Sequence, residues 1–449
     1  MFVPHTEAER DAMLEVIGVD RLQDLFTDVP ADYRFPSLGL PDGMTEMEVM
    51  AELQEMSAAN SSTRELVCFL GAGAYNHFIP AAIDSIVRRG EFLTAYTPYQ
   101  PEVSQGTLQA IFEYQTMVSA LTGMEVSNAS HYDGSTAAAE AVIMAYHHFR
   151  TKRGRVVVSP GVNPQYRETI HTYMQGYENF DLIGETLLDP LAGPEALVPF
   201  INNETCLVLV QYPDFFGRLY DFSTLIRTAH EAGALVAVAI NPLTLGVLRP
   251  PGEFGADIVV GEGQPLGIPL SYGGPYLGLF ATKKEYVRKL AGRLVGETVD
   301  KAGRRAYVLT LTAREQHIRR EKATSNICTN QGLIALTSTV YMSLLGKSGL
   351  RQVAELCYHK AHYAADCISE IDGFSVCMDR PFFHEFVVCC PKPVAEINER
   401  LLEEGILGGY DLQQDYPALE NRMLLAVTEM ITRDQIDHLC EVLSEVTNE

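Results

Sequence analysis

The stretch "LTAYTPYQPEVSQGTLQAIFEYQTMVSALTG" crowds Tyr96, Thr97, Tyr99, Gln100, Glu102, Ser104 and Gln105 around two prolines, just ahead of a helix. Hydrogen-bonding side chains on a stiff loop at a helix N-terminus can line a pocket for a polar substrate. The same residues also suit a proline-stiffened connection in which Ser104 caps the helix, and the local sequence leaves both readings open. A second polar loop, in "NASHYDGSTAAAEAVIMA", ends in Asp133-Gly134-Ser135-Thr136 and opens an alanine-rich helix. Free peptide N–H groups, the Ser135 and Thr136 hydroxyls and a positive dipole end would make a cup for an anion. Asp133 as a simple N-cap is the plainer reading. A third segment, "LTAREQHIRREKATSNICTNQG", gathers Arg314, His317, Arg319, Arg320 and Lys322 within an acidic chain. These residues suit either ion pairs with Glu315 and Glu321 on a helix surface or a seat for an anionic group or acidic partner.

The stretch "GADIVVGEGQPLGIPLSYGGPYLGLFA", residues 255–281, runs from an apolar strand through a glycine-rich turn and a Gly-Gly-Pro corner into a second apolar strand. In pyridoxal phosphate enzymes of the aminotransferase-like fold, such a loop carries the Schiff-base lysine. A strand end nearby carries an aspartate that keeps the pyridine nitrogen protonated. Here residues 255–281 contain no lysine and residues 235–255 no aspartate; Gln264 and Asn241 are the polar residues nearest those places. Lys283 and Lys284 come after the second strand, and "KKEYVRKLAG" predicts a helix on which they form a solvated face. The glycines of "FLGAGAYNHFIP" lack the spacing of a P-loop or dinucleotide fingerprint, and His131, His147 and His148 lack companions at metal-ligand spacing.

The elements that must position these residues are legible from apolar periodicity. "GRVVVSP", "ETCLVLVQYP", "GALVAVAI", "GADIVVG" and "YLGLFAT" read as short strands alternating with amphipathic helices such as "DFSTLIRTAHEAG". That alternation predicts an α/β fold with a mostly parallel sheet covered on both faces, whose ligands bind beyond the carboxyl ends of the strands. Leu108, Ile111, Phe112, Val118 and Leu121 share one helix face that Gly123 terminates. Three regions are expected: a helical arm over residues 1–60, with Thr45 capping its second helix, a large domain over 61–335, and a small α+β domain over 336–449. In the last, a long helix precedes the strands "FFHEFVVCC" and "RMLLAVTEM" and the helices "PVAEINERLLEEG" and "TRDQIDHLCEVLSEV".

A formal charge of −24, from 34 Lys+Arg against 58 Asp+Glu, argues against nucleic acid or an anionic membrane as partner. Nine cysteines without a C-x-x-C pair predict neither a disulfide framework nor a zinc site and fit a reducing cytoplasm. The roles of Cys328, Cys389 and Cys390 stay open. Neither a signal peptide nor an apolar run of membrane-spanning length is apparent, so a cytoplasmic location is expected.

Taken together and in order, "FLGAGAYNHFIPAAI", "YTPYQPEVSQGTLQAIFEYQTMV", "NASHYDGSTAAAEA", "GADIVVGEGQPLGIPLSYGGPYLGLFA" and "REQHIRREKATSNICTNQ" resemble the P-protein of the glycine cleavage system. The resemblance spans nearly the whole chain and is to the N-terminal half of the single-chain form, or subunit 1 of the two-chain form. It implies an aminotransferase-like (pyridoxal phosphate fold type I) large domain that lacks the lysine, a small C-terminal α+β domain, and no catalytic residue of its own. It further implies a partner, subunit 2, whose lysine holds the cofactor covalently. Together the two would decarboxylate glycine and pass the aminomethyl group to the lipoyl arm of H-protein. Tyr96, Thr97, Tyr99, Gln100, Glu102, Ser104 and Gln105 would then border the partner's active site, while Ser135, Thr136, Asn241 and Gln264 would mark a vestigial pocket. Arg314, His317, Arg319 and Arg320 remain candidates for anion or partner contacts. Two other readings are a self-sufficient pyridoxal phosphate enzyme using another lysine such as Lys283, and a non-catalytic scaffold or regulator.

Overall fold

The structure is a computed structural model and describes residues 5–186, 189–325 and 327–448. The chain divides into two compact units, Met1–Ser61 and Ser62–Glu449. In the first, the helices Glu7–Ile17 and Glu46–Ala58 each begin with a capping box, Thr6 with Glu9 and Thr45 with Glu48. Each box satisfies two otherwise orphaned peptide donors, which is why helices without a single buried residue start where they do.

The second unit is built on a seven-stranded sheet. Its spatial order is Val126–Ser127, Gly278–Thr282, Ile258–Glu262, Leu235–Ile240, Thr205–Tyr212, Arg155–Val158 and Asp181–Ile183. All neighbours are parallel except those of Gly278–Thr282, which pairs antiparallel on both sides. Successive side chains on a strand point to opposite faces, so these nearly continuous apolar runs feed two cores at once. Val208, Val210, Val236, Val238 and Ile240 enter one, and Leu207, Leu209, Leu235, Ala237 and Ala239 the other. The α/β expectation and all five predicted strands are met. The short Asp181–Ile183 and the hairpin Leu294–Val299/Arg305–Thr310 carried no periodic signal, because most of their residues are half-buried or exposed.

Gly332–Ser369 is one 38-residue helix interrupted at Gly346, where φ is 59°. By length and composition it could cross a membrane, with a mean hydropathy of 1.2 over its most apolar window. It instead joins two cores: Ala335, Tyr341, Leu350 and Ala354 pack under the large sheet, and Ala361, Ala364 and Ile368 pack with the C-terminal segment. That segment forms an antiparallel sheet ordered Ser375–Val376, Glu385–Cys389, Arg422–Ala426 and Tyr410–Asp411, with helices at Val394–Glu403 and Arg433–Asn448.

Two expectations need correction. Cys377 and Cys389 form a disulfide, with Cα atoms 6.1 Å apart. Their spacing of twelve has no motif, and only the pairing of Ser375–Val376 with Glu385–Cys389 brings them together. "KKEYVRKLAG" is not a helix beyond a 3-10 turn at Lys284–Tyr286. Lys284 is exposed as expected, but Lys283 is drawn inward: its Nζ lies 2.5 Å from a carboxylate oxygen of buried Asp257.

Candidate functional site

A cleft of about 520 Å³ opens beyond the carboxyl ends of the central strands, where the fold class predicts ligands. Its floor is the start of the helix Gly134–His148. Asp133 Oδ1 accepts hydrogen bonds from the Thr136 peptide N–H (2.8 Å) and from the hydroxyls of Ser135 (2.7 Å) and Thr136 (3.1 Å). The Gly134 N–H donates to Glu262 Oε2 at 2.9 Å. Glu262 Oε1 also accepts from the peptides of Gln264 and Leu277, each at 3.0 Å, and burial pushes its pKa up to about 8 against those donors. The anion cup thus exists, but two carboxylates of the chain itself fill it. A Cβ on Gly134 would lie 2.0 Å from the Tyr166 hydroxyl oxygen, so glycine is what lets helix, strand and tyrosine meet there.

This lining does not fit pyridoxal phosphate. No lysine or arginine lines the cleft among the described residues, whereas Asp133, Glu262 and Asp415 do, and a phosphate would meet carboxylates where it needs donors. Gln264 is fully committed elsewhere. Its Oε1 accepts from the Tyr75 N–H (2.9 Å), and its Nε2 donates to the carbonyls of Tyr75 (2.9 Å) and Ile268 (2.8 Å). Asn241, at the end of its strand, accepts from the Leu243 N–H and caps the following turn. Asp257, one residue before Ile258–Glu262, binds the Val236 N–H, His230 and Lys283 at the opposite end of the sheet, so Lys283 is held away from the cleft by an ion pair.

The Tyr75 that Gln264 clasps belongs to the glycine-rich stretch near Gly71. Glu385 of the small sheet accepts from the Ala72 N–H (2.8 Å) and the Tyr75 hydroxyl (2.7 Å), and burial raises its pKa to about 7. A Cβ on Gly71 would come within 2.4 Å of Ala426 Cβ, so that glycine permits backbone to dock directly on the small sheet. Further along, His77 Nδ1 meets Glu429 at 2.7 Å and the Cys357 thiol donates to the same carboxylate at 3.3 Å. With Lys360 donating to the Glu429 carbonyl, the group is a hydrogen-bonded knot that already carries a cation. Residues 77, 357 and 429 have no motif spacing, so the sequence could not join them.

The tyrosine loop divides into parts. Tyr96 and Thr97 line a pocket of about 240 Å³ with Phe92, Ile111, Tyr114 and Leu333. The Tyr99 hydroxyl accepts from buried Arg293 at 2.8 Å, and its ring meets His317 edge-on at 5.4 Å. Gln105 faces inward and grips Tyr307 through both backbone groups, at 2.9 Å each. Gln100 and Glu102 are exposed. Ser104 occupies the N-cap of Gln105–Thr122 without a side-chain bond, because its ψ of 20° turns it from the extended cap conformation.

The basic island also separates. His317 joins Tyr99, while Arg314 tucks its guanidinium against the Leu290 carbonyl and, with Arg319, lines a different pocket; Arg320 is exposed. Glu315 is buried, with its carboxylate 3.7 Å from His317 Nδ1 and 3.9 Å from Arg293, so the expected pairing is met by His317 but turned inward from the surface. Arg293 and Glu262 are the site residues that sequence reading missed. The signal for Glu262 was a carboxylate inside an otherwise apolar strand, and none marked Arg293.

A profile of the glycine cleavage system P-protein family matches residues 1–443. The chain is 53% identical over 448 residues to the probable glycine dehydrogenase (decarboxylating) subunit 1 of Thermomicrobium roseum, covering 100% of both chains. It is 49% identical over 445 residues to that of a Geobacillus strain, covering 99% and 98%. A crystal structure of glycine decarboxylase (P-protein) of the glycine cleavage system, in inhibitor-bound form, superposes with a TM-score of 0.91 at 44% identity, over 99% of this chain and 100% of that one. Glutamate decarboxylase from Lactobacillus brevis shares the fold at 12% identity, TM-score 0.69, over 92% and 95%, and the neighbours are pyridoxal phosphate fold type I enzymes. With its whole length matched and its sheet and cleft in the arrangement of that fold, this chain belongs to the glycine cleavage system P-protein family.

Proposed function

We propose that this chain is the lysine-free subunit of a two-chain glycine decarboxylase, acting with a lysine-bearing subunit 2, glycine and lipoylated H-protein. The observation that carries the reading is the agreement between full-length similarity to proteins named subunit 1 and a cleft whose anion cup is filled by Asp133 and Glu262. Pyridoxal phosphate would be covalently bound by the partner, where it would act as the electron sink for loss of carbon dioxide. This chain contributes no step on the cofactor. Its share is enclosure: the open loop carrying Tyr96, Thr97, Tyr99, Gln100 and Glu102 would wall the partner's site, exclude water and orient the substrate. Arg293 and His317 would hold Tyr99 in place through the contacts described above.

The test is reconstitution. This chain and subunit 2 are assayed alone and mixed, with H-protein and cofactor, for exchange of labelled bicarbonate into the carboxyl group of glycine. Activity confined to the mixture, and a loss of at least about tenfold in Tyr99→Phe or Gln100→Ala mixtures, is expected, the scale of one misplaced contact near the chemistry. Turnover by this chain alone, or unchanged turnover in both variants, would overturn the assignment.

A further inference from the structure

Beside the helix Gly134–His148, on ground the decarboxylase reading does not use, lies a second pocket of about 300 Å³. Arg288, Lys289, Arg314 and Arg319 converge on it from two separate segments, and Glu140 and Ser325 face them. In a chain of net charge −24, four cations at one concavity are a local inversion of the surface field. None of the four has a carboxylate within ion-pair distance among the described residues, although acids outnumber bases across the chain. The one carboxylate in the pocket, Glu140, is spoken for by the Ser325 hydroxyl, which donates to it at 2.7 Å. Burial also raises its pKa to about 7, which keeps a share of it neutral and weakens its opposition to an anion.

We propose that this pocket binds a small, multiply charged oxyanion, a phosphate ester or polycarboxylate, held by Arg288, Lys289, Arg314 and Arg319. Concavity favours a small ligand over a protein face: the volume lies at the lower end of small-molecule sites, and Thr324 adds a neutral hydroxyl at its wall. The site is also wired to the tyrosine loop. Arg314 is adjacent to Glu315, which faces Arg293, and Arg293 donates to Tyr99. An anion drawing on Arg314 therefore acts two contacts from Tyr99, which makes the site a candidate effector position.

The experiment is calorimetric titration of the full-length chain with pyrophosphate and, separately, citrate, at ionic strength matched with sodium chloride. One saturable site is expected for at least one probe, and which one binds separates the phosphate from the carboxylate source. Exposed Lys289→Ala and Arg319→Ala should each weaken it about two- to fivefold, the range of single exposed charges, and Glu140→Gln should tighten it by a similar factor. Melting temperatures of the variants confirm that they fold. No saturable heat with either probe, or affinities unmoved by all three substitutions, would overturn the proposal. So would binding of a polyglutamate peptide by a chain that ignores both small anions, since the patch would then belong to an acidic protein.

Discussion

At the scale of single residues, Gln264 explains why one substitution does not turn the cleft into a cofactor site. Its amide satisfies a buried peptide N–H and two buried carbonyls. Gln264→Ala leaves all three unpaired and should cost at least about 3 kcal/mol in urea unfolding. Gln264→Lys restores donors to the carbonyls but not the acceptor for the Tyr75 N–H, and it buries an ammonium. It should be destabilised as well, and adding pyridoxal phosphate should leave its visible absorbance that of the free cofactor. Buried carboxyls set the pH dependence. Glu385 and Glu140 titrate near 7 in the folded chain against a usual 4.5, so the native state holds protons that the unfolded state releases. Their stabilising contribution is fully present below the unfolded value and is lost as pH rises through the folded one, with a slope of up to about 1.4 kcal/mol per pH unit for each group. Stability measured from pH 5 to 8 should therefore fall less steeply in Glu385→Gln and Glu140→Gln than in the parent.

At the scale of elements, the glycine-rich stretch is a strap and not a nucleotide loop. Gly71 and Gly134 are close-approach positions: the first brings the strap onto Ala426 and Glu385, the second brings a helix start onto Glu262 and Tyr166. Adding a methyl at either forces backbone or a buried ring to move. Gly71→Ala and Gly134→Ala should each lose about 1–3 kcal/mol, the usual range for overpacking. A solvent-exposed control such as Gly90→Ala, whose Cβ meets nothing within 4 Å, should lose no stability by the same denaturation measurement.

At the scale of the whole molecule, the five buried clusters draw only on residues from Val67 onward. A chain lacking residues 1–61 should therefore lose only the helical signal of Glu7–Ile17 and Glu46–Ala58 from its circular dichroism spectrum and melt within about 2 °C of the parent, roughly the shift that 1 kcal/mol produces in a chain of this size. The deleted unit exposes Met13, Ile17, Met47, Met50, Leu53 and Met56, more apolar surface than its two capped helices can cover alone. Loss of co-elution with subunit 2 on a sizing column is the expected consequence of the truncation.

The sequence by itself determined the α/β class, the five core strands, the arm helix capped by Thr45 and the family, because each rests on local periodicity, on short-range hydrogen bonding or on long ordered motifs. It also showed that the lysine and the strand-end aspartate are missing. What it could not show is what the residues in those places do. Gln264 meets Tyr75 across 189 residues and Glu385 meets Tyr75 across 310, and Gly134 reaches Glu262 across 128. The division of the tyrosine loop into exposed residues such as Gln100 and Glu102 and the inward-facing Gln105, and the convergence of Arg288 with Arg319, are likewise decided only when strands and segments distant in the chain pack together. Hydrophobic burial chooses those neighbours, and the polar groups carried inside must then find partners wherever packing leaves them.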